Sequence, residues 1–146
     1  MITNAAGVAI IKRYETFQAK AYLCPAGVPT IGYGHTGSDV RLGQTITEHQ
    51  ADVILALDLE RFERGVTELV AGVAVTENQF SALVSLAFNI GLAALKGSTL
   101  LRKLRTGASA QDVAAEFDKW VHAKGVKLEG LVKRRAAEAA LFLGGS

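Results

Sequence analysis

Within residues 14–37, YETFQAKAYLCPAGVPTIGYGHTG, the chain sets a carboxyl (Glu15), its only thiol (Cys24), a hydroxyl (Thr30) and an imidazole (His35) in close succession. These groups cover most of what a hydrolysis needs. A carboxyl can protonate a leaving group, a thiolate can take a proton or attack carbon, and a hydroxyl can hold a water. Glu15 is the most pointed of them. It stands one turn after Ile11, at the edge of an apolar stripe formed by Ala6, Ile10, Ile11 and Tyr14. In the last turn of a helix it meets the negative end of the dipole, and apolar neighbours strip it of water. Both disfavour the ionised form, and a carboxyl that keeps its proton near neutral pH suits a general acid. A plain surface glutamate is the competing reading.

Two kinds of element must hold these groups. Residues 4–16 read as a short amphipathic helix capped by Asn4 or Thr3. The stretch 18–46 breaks the helical period. Ala19–Leu23 reads as one strand and Val28–His35 as another, joined by the turn Cys24-Pro25-Ala26-Gly27. Alternation puts Thr30, Gly32 and Gly34 on one side of the second strand and Ile31, Tyr33 and His35 on the other. The first side is nearly bare, so a ligand or a packed helix could approach it closely.

Helices follow. Capping boxes at Thr47-x-x-Gln50, Thr76-x-x-Gln79 and Ser109-x-x-Asp112 open three of them. The first is expected to run to about Arg64, with Ala51, Leu55, Leu59 and Phe62 on one stripe. The second carries Phe80, Leu83, Val84, Ala87 and Phe88 towards a core. A short helix is expected over 98–106, stopped by Gly107. After Ser109, Val113, Phe117, Trp120 and Val121 line one face. A last helix covers about 129–143 and ends at Gly144-Gly145. The expected class is therefore α+β and mostly helical, with a small antiparallel hairpin or three-stranded sheet near the N-terminus. One domain over 1–146 is expected: a β lobe at about 18–46, a helical lobe at about 65–146, and bridging helices at 1–17 and 47–64. A cleft between the lobes is the natural ligand site.

Composition narrows the function. The chain has 146 residues, 49% of them apolar and 21% charged, enough for a real core and too hydrophobic for disorder. A net charge of +2 gives no reason to expect a nucleic-acid partner. The basic runs Arg102-Lys103-Leu104-Arg105 and Lys133-Arg134-Arg135 read first as solvated helix faces, and otherwise as a patch for a polyanionic surface. One cysteine excludes an internal disulfide. The opening MITNAAGVAIIKRYE lacks a leading positive charge and a long apolar run, so neither a signal peptide nor stable membrane insertion is expected. The three histidines are too scattered for a metal site.

The spacing resembles the phage-type lysozymes, the endolysins of tailed bacteriophages and prophages. Glu15, eight residues, Cys24, five residues, then Thr30-Ile31-Gly32-Tyr33-Gly34-His35 follows that family's order. So do Arg41-Leu42-Gly43-Gln44, Phe88-Asn89-Ile90-Gly91, Gly97-Ser98-Thr99-Leu100-Leu101, Trp120, and Gly130-Leu131-Val132-Lys133-Arg134-Arg135-Ala136-Ala137-Glu138. The resemblance implies a lysozyme-like fold and a muramidase that cleaves the β-1,4 bond between N-acetylmuramic acid and N-acetylglucosamine. It implies Glu15 as general acid, Cys24 at the position where most members carry aspartate, and Thr30 holding the attacking water. Asn89 and Trp120 match cleft positions, Gly32 belongs to the bare side facing the substrate, and His35 matches a structural histidine. Arg135 lands on the apolar stripe of its helix, suited to a buried ion pair with Glu138 or to a cleft contact. The resemblance implies a monomer with no metal or organic cofactor, whose partners are the glycan strands and, indirectly, a holin that releases it from the host cytoplasm.

Cys24 is the departure. A thiol has a reference pKa of roughly 8.5, so it is mostly neutral where an aspartate would be charged. It could act as base, as nucleophile, or stand aside while Glu15 and a Thr30-bound water suffice; the base role needs no new covalent step. Two other classes stay open. One is a cysteine hydrolase pairing Cys24 with His35, His49 or His122. The other is a non-catalytic wall-binding module, which would leave the Glu15–Thr30 spacing without a reason.

Overall fold

The computed structural model of the chain describes residues 1–144. Helix α1 spans Ala5–Glu15 and is capped by Asn4, whose side chain accepts from the Gly7 amide. Asn4 also ties this end to a later helix, through its own amide to Ser81 Oγ (2.9 Å) and its Nδ2 to Asn78 Oδ1 (2.8 Å). Strands β1 (Gln18–Leu23), β2 (Pro29–Gly32) and β3 (His35–Thr36) form an antiparallel sheet in that order. Tyr22 pairs with Thr30 and Ile31 with His35. The Cys24–Gly27 turn is closed by Gly27 N–H donating to Cys24 O at 2.8 Å. Residues 44–46 add to the outer edge of β1, with Ala21 N–H donating to Gln44 O and Ile46 N–H to Ala19 O.

The second strand is shorter than its sequence suggests. It stops at Gly32, and the chain reverses through Tyr33-Gly34 into β3, with φ at +67° and +77° at the two glycines. The expected alternation therefore ends there, and Thr30, Ile31, Gly32 and Tyr33 are all buried.

Helix α2 (Glu48–Leu69) carries the Thr47–Gln50 capping box and runs beyond Arg64. Gly65, just past the expected end, sits where Leu92 packs: a Cβ there would lie 2.5 Å from Leu92 Cδ1. The apolar stripe continues past it to Val66. Helix α3 (Glu77–Ile90) has the second capping box and is buried at every residue from Phe80 to Ala87, because α1, α2 and the last helix surround it. The expected one-sided stripe underestimates this. Helix α4 (Leu92–Lys96) had no sequence counterpart; α5 (Thr99–Arg105) matches the expected short helix, and Gly107 follows at φ +85°.

The segment after Ser109 is three pieces rather than one helix. Helix α6 (Ala110–Ala115) passes into a 3-10 turn (Glu116–Lys119), then a hairpin of β4 (His122–Ala123) and β5 (Val126–Lys127). Lys124 and Gly125 both take positive φ, +51° and +78°, as a tight two-residue turn requires. Val113, Phe117 and Val121 still face inward. Helix α7 (Glu129–Phe142) closes the chain before Gly144; Gly145 lies outside the described residues. The main core joins α1 to the helices, while the sheet has its own small cluster of Ala21, Ile31 and Val40 with Ile46 against it.

His35 fastens the sheet to α2. Its Nδ1 lies 2.7 Å from Asp58 Oδ2, and its Nε2 lies 3.0 Å from Asp39 Oδ2. Burial opposes a charged ring, but Asp58 and then Asp39 outweigh it, so His35 titrates above its ordinary value of 6.5. The folded protein holds the protonated ring more tightly than the unfolded chain does. That stabilisation is complete below the unfolded value and is lost as pH rises through the raised folded one. His35→Asn should therefore lower Tm most at about pH 5.5 and progressively less towards about pH 9. A gap that stays flat or widens with pH counts against this linkage.

Gly7 gives a steric test. Helix propensity alone favours alanine there by about 1 kcal/mol. A Cβ would sit 2.8 Å from Ser81 Cβ and 2.9 Å from Thr3 Cγ2. Gly7→Ala should thus destabilise by about 1–2 kcal/mol in urea unfolding; a stabilised variant would mean α1 can move off α3.

Candidate active site

Glu15 is the last residue of α1, and Thr16 ends the helix at φ +57°, its N–H donating to Lys12 O at 3.1 Å. This turn aims the Glu15 carboxyl at the junction of sheet and helices. Arg134 Nη1 donates to Oε2 at 2.8 Å. Oε1 lies against the Gly34 backbone: a Cβ at Gly34 would stand 2.8 Å from it. Glycine is required there by this contact as well as by its positive φ. The carboxyl is thus held from both sides with 21% of its side chain exposed.

The exposed part looks into a cavity of about 210 Å³. Gly34 and Thr36 line it from the sheet, Asp58, Arg61 and Phe62 from α2, and Phe88 and Asn89 from α3. Four elements that are distant in sequence therefore meet around one carboxyl.

Behind Glu15 lies a buried ionic network. Arg134, Arg135 and Glu138 are at most 2% exposed. Arg134 donates to Glu138 Oε2 (3.2 Å) and Ser85 O (3.0 Å), and Ser85 Oγ donates to the same Glu138 oxygen. Arg135 donates to Glu138 Oε1, to Asn89 Oδ1 and to Trp120 O (2.8 Å). Two guanidiniums face Glu138 and Glu15, so the charges balance. With its Oδ1 held by Arg135, Asn89 has its amide NH₂ left for a ligand.

Cys24 and Thr30 come together on the sheet. The Thr30 hydroxyl donates to Val28 O at 2.9 Å, leaving lone pairs to accept from water. Backbone hydrogen bonds at Val28 and Ala26, joined by the Thr30 hydroxyl, outweigh desolvation and draw the Cys24 thiol below its ordinary value. Neither residue lines the cavity with Glu15 and Asn89.

Two expected substrate contacts lie outside this cavity. Gly32 is packed against Ile46 and the first turn of α2, where a Cβ would meet Ile46 at 3.3 Å and Ala51 at 3.4 Å, so its bareness serves packing. The Trp120 ring packs against the main core rather than lining the cavity, and its carbonyl serves Arg135. Arg135 makes the buried pair. From the sequence Arg134 reads as part of a basic surface; its spacing of four from Glu138 is the available signal of the buried pair. His35 has both ring nitrogens engaged by aspartates, and no hydrogen bond joins Cys24 to a histidine among the described residues. No helix among the described residues is long and apolar enough to cross a membrane.

Comparison with known proteins agrees with this fold. The phage lysozyme family model matches residues 12–138. An endolysin of Bacillus phage B103 is 47% identical over 99% of this chain, which spans only 55% of that relative's length. The muramidase domain of SpmX from Asticaccaulis excentricus superposes with a TM-score of 0.89 at 39% identity, covering 96% of each chain. A mutant lysozyme of phage P22 gives 0.88 at 40% identity, covering 98% of this chain and 99% of that one. The chain belongs to the phage lysozyme family.

Proposed function

We propose that this chain is a muramidase, an endolysin domain that hydrolyses the β-1,4 bond between N-acetylmuramic acid and N-acetylglucosamine in peptidoglycan. The observation that carries the reading is the seat of Glu15, fixed by Arg134 and Gly34 at the mouth of a cavity between sheet and helices. Arg134 occupies Oε2, which leaves Oε1 as the oxygen that bears the transferable proton. Glu15 gives that proton to the bridging oxygen as the bond from the sugar C1 to it breaks. A water accepted by Thr30 adds to C1 and yields its own proton to the Cys24 thiolate. One proton is delivered and one is taken, and a new reducing end is formed.

The lowered Cys24 thiol supports the base role over a bystander role, since it enlarges the thiolate fraction. A thiolate also places negative charge near the oxocarbenium-like state, as a carboxylate would. Asn89 offers amide donors to the bound sugar. In this reading the chain forms one two-lobed domain, acts as a monomer on the cell wall, and reaches it from the host cytoplasm when a holin opens the membrane.

Purified protein should release reducing ends from peptidoglycan. Glu15→Gln keeps an acceptor for Arg134 but has no acidic proton and no balancing charge, so it should melt at a lower temperature than wild type and, assayed well below that melting point, should lose about a hundred- to ten-thousand-fold of the rate. Cys24→Asp should keep or raise the activity at neutral pH. Release of free amines instead of reducing ends, or an active Glu15→Gln variant, would overturn the assignment.

A further inference from the structure

We propose that Arg61 is the residue through which the cavity recognises negative charge on its glycan: a carboxylate on the muramic acid unit, carried by the lactyl arm or by the peptide stem attached to it. The inference rests on the muramidase reading and adds to it a determinant of substrate class. Of the side chains lining the Glu15 cavity, Arg61 is the only cation. The other charges nearby already have partners. Glu15 is paired with Arg134, and Asp58 with His35. Arg61 itself joins no ion pair among the described residues.

Its placement is also fixed. The guanidinium lies 4.7 Å from the centroid of the Phe62 ring, and Phe62 is stacked at a tilt on Phe88 with 5.2 Å between centroids. Both rings line the same cavity. An exposed arginine on a bare helix face spreads over many rotamers; one laid on the buried Phe62 ring, itself braced by half-buried Phe88, has lost much of that freedom before a ligand arrives. Its planar fork then matches a carboxylate with two parallel hydrogen bonds. A polymer of N-acetylglucosamine alone offers no such group, whereas every muramic acid unit carries one or bears a stem that does.

The test crosses the residue with the charge. kcat and KM for reducing-end release are measured for wild type, Arg61→Gln and Arg61→Lys on four substrates. These are glycan strands bearing peptide stems, strands stripped of stems by an amidase so that the lactyl carboxylate is free, and each of these after carbodiimide coupling to methylamine, which turns carboxylates into neutral amides. Arg61→Gln should raise KM about fivefold on unmodified strands, with kcat moving less. Wild type should show the same rise on amidated strands, where the two proteins become indistinguishable, and Arg61→Lys should recover part of the loss. A loss confined to stripped strands assigns the lactyl carboxylate; one confined to stem-bearing strands assigns the stem. An equal loss on charged and amidated substrates, or none at all, overturns the proposal. Wild type that releases no reducing ends from any of the four overturns the muramidase reading itself, and that result is visible without the variants.

Discussion

Two guanidiniums buried side by side set the terms for the rest of this structure. Arg134 and Arg135 are almost wholly removed from water, and a single buried carboxylate, Glu138, lies between them. Desolvating such ions is costly, and the cost is offset only where each charge and each donor finds a partner. Glu138 balances one cation. Glu15 supplies the second balancing charge when it is ionised, and the Ser85, Asn89 and Trp120 oxygens take the remaining hydrogen bonds. Helix α7 is thereby joined to α1, α3 and the base of the β4–β5 hairpin through one set of contacts. The position of the candidate acid follows from the charge balance of the fold.

The opposite wall of the cleft is held differently. The sheet's own apolar cluster is Ala21, Ile31 and Val40 with Ile46, too little to stand alone in water. It relies on attachments to the helices. His35 reaches Asp58, Phe17 lies 5.8 Å from Tyr33 between ring centroids, and Lys12 pairs with Asp52 at 2.8 Å from α1 to α2 beside that ring. One wall is thus set in a large core and the other is tied to it by a few polar and aromatic contacts. Opening of the cleft is expected to draw on the second wall, where fewer apolar contacts must be broken.

Local rules were the legible part of this sequence. Both Thr-x-x-Gln boxes form as capping boxes, and Asn4, Ser98 and Ser109 cap their helices because a short oxygen side chain at such a position satisfies amides that have no other partner. The Cys24–Gly27 turn and the seat of Glu15 at the end of α1 are local too. Positions decided by distant neighbours were misread. The expected end near Arg64 falls short because nothing nearby announces Leu92 packing at Gly65, and α3 looks one-sided because its polar positions include Ser81 and Ser85, which are satisfied by Asn4 and by Glu138. Arg134 looks like surface because its partner Glu15 lies 119 positions away. Gly32 and Gly34 looked equivalent by alternation, yet one admits α2 and the other admits a carboxyl oxygen.

The same distinction between local and distant causes explains how a thiol can stand at position 24. The groups that favour a negative charge there belong to the backbone of the hairpin turn: hydrogen bonds at Val28 and Ala26, seconded by the Thr30 hydroxyl. Backbone donors do not depend on which side chain they serve. A turn of this shape stabilises a thiolate or a short carboxylate by the same means, because both present a compact anion within two bonds of Cβ. The exchange therefore asks nothing of the core and little of the sheet. It changes only how much of the group is ionised at a given pH. An aspartate is charged throughout the neutral range, whereas a thiol is charged in proportion to how far those amides lower it; under the proposed base role, the pH dependence of turnover should move with the identity of residue 24 while the fold stays where it is.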